Sequence, residues 1–214
     1  MEDEQINFKV KDTKAFEKCA TCIITEHVNL SDFLSSKSIM KKTLTCPTNA
    51  IDIERKEITK DCINCGICWL NYPSIIEMTH KYPNSLKFKK YIKKDKMFIY
   101  KWLALCIKNS VGINIKSKGF SRVKRIPLVI KSKKQLYFVK SIYELADIDK
   151  ANYELNDIID LISEEISGYE IKKIIIVIED LNKEIKAEYY VISFDNLYKK
   201  IIQNNIRDIS EIVN

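Results

Sequence analysis

Four of the seven cysteines stand at a spacing that can do metal chemistry. Cys62-x-x-Cys65-x-x-Cys68 sets three thiols in series, and each two-residue step reverses the backbone so that the next sulfur also points inward. Cys46 lies about fifteen residues upstream and is followed by Pro47, which makes it the natural fourth soft donor. Four thiolates arranged in this way complete a cubane iron–sulfur cluster.

A second pair, Cys19-x-x-Cys22, opens another route. Joined with Cys62-x-x-Cys65 it would form a zinc ribbon, since paired C-x-x-C knuckles make tetrahedral zinc sites. That arrangement leaves Cys46 and Cys68 unused, so the spacing favours iron–sulfur over zinc. Cys106 lies in an apolar stretch and reads as a buried free thiol. The two histidines, His27 and His80, read as ordinary residues rather than ligands.

The lines Cys46-Pro47-Thr48-Asn49-Ala50-Ile51 and Asp61-Cys62-Ile63-Asn64-Cys65-Gly66-Ile67-Cys68 closely resemble bacterial-type ferredoxins. In that family the Cys before Pro ligates the cluster whose other three ligands come from the opposite triplet. The resemblance therefore implies one [4Fe–4S] cluster on Cys46, Cys62, Cys65 and Cys68. It is strong over residues 40–75 and weaker over 15–39. The chain departs from the family where Tyr72-Pro73 replaces the second Cys-Pro, and where the first triplet lacks its third Cys. One cluster is implied and the second site is lost. Cys19 and Cys22 stay unassigned. Trp69, next to Cys68, is expected to pack over the cluster and shift its potential.

Composition sets the frame for this site. The chain has 214 residues, 46% hydrophobic and 30% charged, which describes a soluble globular protein with a substantial core. No apolar run approaches the ~20 residues of a membrane helix, and the acidic start Met1-Glu2-Asp3-Glu4 is no signal peptide. An odd cysteine count with four at ligand spacing points to a reducing cytoplasm rather than to disulfides. The net charge of +7 hides an asymmetry. Residues 81–140 carry about +17 with Asp95 their only acid, whereas 1–80 carry about −2 and 141–214 about −8. A stretch so basic is expected to meet a polyanion or an acidic partner.

Hydrophobic patterning then supplies the elements. Residues 12–27 and 32–38 read as short helices, and 50–53 and 57–58 as short strands. Residues 74–96 are mixed, with six lysines interleaved among Phe88, Tyr91 and Ile92. Residues 97–107 read as a buried helix. Three strands follow at 113–115, 126–130 and 135–139, then a helix over 147–166 with Leu155, Ile158, Ile159 and Ile162 on its apolar face. A continuous apolar strand over 172–178, a strand over 189–193, a helix over 195–202 and a last helical turn over 206–213 complete the chain. The domain boundary is expected between residues 80 and 95, giving an N-terminal module over 1–85 and a second over 86–214.

After residue 96 the order of helix, three strands, helix, strand, strand and helix resembles the restriction-endonuclease-like core. That family carries a metal-binding Asp on its second strand and Glu-x-Lys on its third. Here Leu128, after Pro127, stands in the Asp position, Phe138 in the Glu position, and Lys140 is kept. Without the carboxylates nothing holds a divalent metal or activates water, so the resemblance implies binding rather than cleavage. Glu154 and Asp157 are the alternative carboxylates if the module cleaves.

The sequence thus predicts an α+β protein: a ferredoxin-like iron–sulfur module followed by a basic α/β module of mixed sheet flanked by helices. The expected function is nucleic-acid binding through Lys116, Lys118, Arg122, Lys124, Arg125 and Lys140, with Tyr91 and Phe120 available to stack bases. The cluster would be structural or redox-sensing, and the chain a subunit or accessory of a nucleic-acid-processing system, without catalytic residues of its own. The alternative is an electron-transfer ferredoxin that docks an acidic redox partner.

Overall fold

The computed structural model describes residues 6, 8–11, 46–52, 54–79, 84–107, 128–164, 166–179, 181 and 187–213. Helices and sheets are mixed, in agreement with the α+β expectation. The chain divides into two compact units, Met1–Phe98 with Tyr198–Asn205, and Ile99–Leu197 with Ile206–Asn214. The first unit therefore ends later than residue 85 and takes back a short piece of the C-terminal chain.

The first unit contains two small antiparallel ladders. Strand β1 (Phe8–Val10) pairs with β4 (Ile76–Met78), and β2 (Ile51–Asp52) pairs with β3 (Glu57–Ile58). A five-residue helix, α1 (Ile67–Asn71), follows the cysteine triplet's turns. Helix α2 (Leu86–Lys94) buries Phe88 and Ile92, a pair four residues apart on one face, and leaves lysines on the other. Its aromatic side fixes the unit boundary. The Phe88 ring packs edge-on against Phe98 at 5.6 Å and tilted against Tyr198 at 6.2 Å, so all three belong to one core. The lysine spacing had hidden this helix within a mixed stretch.

In the second unit a four-stranded sheet runs β5 (Leu128–Ser132), β6 (Gln135–Ile142), β7 (Glu170–Val177) and β8 (Tyr190–Ser193). Strands β5 and β6 form an antiparallel hairpin; β7 then lies parallel to β6, and β8 parallel to β7. A parallel neighbour requires a crossover, and helix α4 (Ile148–Leu161) supplies it between β6 and β7. Ala151, Leu155 and Ile158 are buried on α4, and Ile162 follows just beyond its end. They meet Val129, Leu136, Phe138, Ile175 and Val177 in one core. The opposite sheet face is equally dry, with Ile130, Tyr137, Val139, Ile174 and Ile176 all buried. Helix α3 (Phe98–Cys106) serves that face from Ile99 onward: the Ser141 backbone N–H donates to the Tyr100 hydroxyl at 2.8 Å. Burial on both faces explains why β7 reads as a continuous apolar run rather than an alternating one. The helix α5 (Phe194–Tyr198) runs on as a π-helical turn over Lys199–Gln203, and α6 (Ile209–Val213) ends the chain. Among the described residues no helix is long and apolar enough to cross a membrane.

Cys106 is buried in this second core as expected, and Arg207 donates to its carbonyl at 3.2 Å. Burial pushes its thiol well above the ordinary range, with the Arg207 charge opposing the shift only in part. A thiol whose folded value is raised stabilises the fold below its unfolded pKa and loses that contribution as pH rises above about 8.5. Urea midpoints should therefore fall between pH 8.5 and 10.5. Cys106→Ala should flatten this fall by up to about 1.4 kcal/mol per pH unit.

Candidate metal centre

The turn Cys46 to Ile51 is built so that its own backbone faces the first sulfur. Asn49 takes a left-handed φ of 52°, and the Ala50 N–H then donates to the Cys46 sulfur at 3.2 Å. Ala50 is fully buried, and its carbonyl accepts from the Thr59 N–H at 2.8 Å, which pins this turn to the approach of the triplet. The triplet repeats the device. Asn64 and Gly66 adopt left-handed φ values of 61° and 74°, one between Cys62 and Cys65, the other between Cys65 and Cys68. These are the reversals the spacing demanded, and glycine accepts the second without strain. The Asn64 N–H donates to the Cys62 sulfur at 3.4 Å.

The result is one pocket lined by all four cysteines. Cys46, Cys62, Cys65 and Cys68 line it together with Pro47, Ala50, Ile51, Ile58, Ile63 and Ile67, around some 350 Å³ of space that includes its mouth. Apolar walls make the sulfurs poor places for bare negative charge. Burial pushes the Cys62 thiol up to about 11; the Asn64 N–H and the Lys87 charge work against this, and Cys46 adds to it. Burial also raises Cys65 well above its ordinary value, reinforced by the neighbouring Cys68, Cys62 and Cys46. Cys68 moves in the same direction, through burial first and then through Cys62 and Cys46. Buried thiols at Cys62, Cys65 and Cys68, with N–H groups aimed at the Cys46 and Cys62 sulfurs, form a donor set whose ionisation a cationic centre would favour. Among the described residues, no three His, Cys, Asp or Glu side chains converge on a single ion position. The thiols are spread around a pocket instead.

Two contributors were not visible in the sequence. The Tyr198 hydroxyl donates to the Asn64 carbonyl at 2.6 Å, across 134 residues of chain, and nothing local marks it. Ile202 closes on Gly66 so tightly that a Cβ there would meet its Cδ1 at 2.5 Å. Trp69 is the residue expected to pack over the cluster. Its ring lies against Phe8, centroids 6.5 Å apart, outside the pocket lining. Cys19, Cys22, His27 and His80 lie outside the described residues.

Of the expected phosphate-binding set, Lys116, Lys118, Arg122, Lys124 and Arg125, with Phe120, also lie outside the described residues. Lys140 is described, and it is not presented to a ligand. Its side chain is 15% exposed and forms an ion pair with Glu154 of α4. The sheet face it occupies is the one that α4 covers, which is why it turned inward to a carboxylate. The register also separates the two nuclease-like positions. Leu128 lies opposite Val139, whereas Phe138 lies opposite Val129, so 128 and 138 point to different faces of the sheet. Carboxylates at those two places would not converge on one metal. Lys140→Met should cost about 1–2 kcal/mol in urea melts, partly recovered by Glu154→Gln in the same chain.

Comparison with family models, with curated proteins and with solved structures found no match for this chain.

Proposed function

We propose that the chain is an iron–sulfur protein that binds nucleic acid. Cys46, Cys62, Cys65 and Cys68 hold one [4Fe–4S] cluster, and the basic stretch 81–140 contacts phosphates through Lys116, Lys118, Arg122, Lys124 and Arg125. The observation that carries the cluster is the single apolar pocket lined by all four thiols, with backbone N–H groups on two of the sulfurs. It draws Cys46 and Cys68 into the same site as Cys62 and Cys65, which a zinc ribbon on Cys19 and Cys22 would leave idle. When bound, the cluster supplies a one-electron couple and a cationic core that ties the loop together. This chain's residues do the rest. The N–H donors stabilise charge on sulfur, the isoleucines exclude water, and the positive-φ turns fix where each sulfur points.

Nucleic-acid binding rests on the charge distribution, about eighteen Lys and Arg against one Asp over residues 81–140. The chain would act as a subunit or accessory of a nucleic-acid-processing system, in a reducing cytoplasm, with catalysis residing on another chain. Titration of anaerobically prepared protein against single- and double-stranded oligonucleotides at rising salt tests this. Log affinity should fall linearly with log salt, with a slope of about −3 to −5 for five phosphate contacts. Absence of salt-dependent binding would overturn it.

One observation favours a second reading, an electron carrier that docks an acidic redox protein. The lysine face of α2 stands beside the cysteine loop: Lys87 donates to the Lys60 carbonyl at 3.3 Å, and its charge acts on Cys62. Reversible one-electron reduction by a reductase, lost on charge reversal at Lys90 and Lys93, would support that reading.

A further inference from the structure

We infer that Tyr198 and Ile202 form a latch on the cysteine loop, so that occupancy of the metal centre and the ordering of residues 198–205 are coupled; this rests on the cluster reading above. The loop between Cys62 and Cys65 turns through Asn64, which is 1% exposed and holds a left-handed backbone. That turn aims the Asn64 carbonyl into the protein, where water cannot satisfy it. Tyr198, 2% exposed, supplies the hydrogen bond at 2.6 Å. Its ring is in turn held against Phe88. Four residues on, one helical turn away, Ile202 is fully buried with its Cδ1 against Gly66, the other left-handed position of the triplet. Both reversals that aim the sulfurs are thus fixed by one short segment from the far end of the chain. The segment is a π-helical turn over Lys199–Gln203, a geometry seldom used without a local reason. It lies in sequence between β8 and α6, elements of the other unit. Coupling of this kind is reciprocal: a latch that steadies the loaded loop is itself steadied by loading.

Tyr198 is a positioning residue, and its removal takes away the hydrogen bond that the Asn64 carbonyl accepts from it. Tyr198→Phe should still load, and should then lose its visible absorbance to a chelator about fivefold faster than the wild type, at unchanged far-ultraviolet circular dichroism. Amide exchange over 198–205 should be slower in loaded than in metal-free protein by a similar factor. Gly66→Ala should impair loading, and Ile202→Val in the same chain should restore part of it, because the valine lacks the Cδ1 that the new Cβ would strike. Equal bleaching rates, together with exchange over 198–205 indifferent to loading, would overturn the latch. Should the wild type hold no iron, the cluster reading itself fails. The latch is then judged in metal-free protein, where Tyr198→Phe must speed exchange over residues 62–68 or be abandoned. If Tyr198→Phe fails to fold, the Gly66→Ala and Ile202→Val pair decides the matter through the presence or absence of rescue.

Discussion

Cys65→Ser should empty the metal centre, taking iron and sulfide from about four of each per chain to well below one, and abolishing the visible absorbance. Cys65 is the middle cysteine of the triplet, flanked by the left-handed Asn64 and Gly66, and burial raises its thiol, with Cys68, Cys62 and Cys46 adding to the shift. A serine oxygen is a harder donor with a far higher pKa, and an apolar wall gives it no help in ionising. The effect should exceed that of the same change at Cys46, the donor furthest from the triplet in sequence. Cys106→Ser, by contrast, should leave iron content unchanged, because that thiol lies in the other unit. Iron loss from both variants alike would contradict the ligand assignment.

The second large effect concerns the sheet. Phe138→Ala should destabilise the second unit by about 3–5 kcal/mol in urea melts, with little change in the denaturant slope. Phe138 is fully buried on the β6 face that α4 covers, among Val129, Leu155, Ile175 and Val177. Central strands under a helix cannot collapse readily around a missing ring, so most of the cavity would persist. Phe138→Glu, which places a carboxylate at the nuclease-like position, should be worse still. It would confer no metal-dependent cleavage, because position 128 lies on the opposite face.

Where a segment's own pattern decides its structure, the sequence was readable. The apolar run Ile174-Ile175-Ile176-Val177 announced a strand buried on both faces, and Leu155, Ile158 and Ile162 announced the inner stripe of α4. The cysteine pocket was readable for a related reason: a two-residue spacing compels local reversals, and Asn64 and Gly66 supply them. Helix α2 escaped because its five lysines, several of them adjacent in sequence, mask the single buried pair Phe88 and Ile92. Strands of two or three residues, such as β1 and β4, carry too few side chains for a period to register. The inward turn of Lys140 depended on which face α4 would cover, and that follows from pairing register rather than from residue type. Tyr198 could not be read at all, because a hydrogen bond across 134 residues leaves no local mark. The domain boundary moved for the same reason. Phe98 and Tyr198 join Phe88 in one aromatic core, and only the folded chain shows which residues share it.

The measurement that bears most directly on this account is the iron, zinc and acid-labile sulfide content of the full chain purified without oxygen. About four iron and four sulfide per chain are expected, with no stoichiometric zinc and a broad visible absorbance that bleaches on reduction. One zinc per chain with no sulfide would contradict it and return the cysteines to a tetrahedral site.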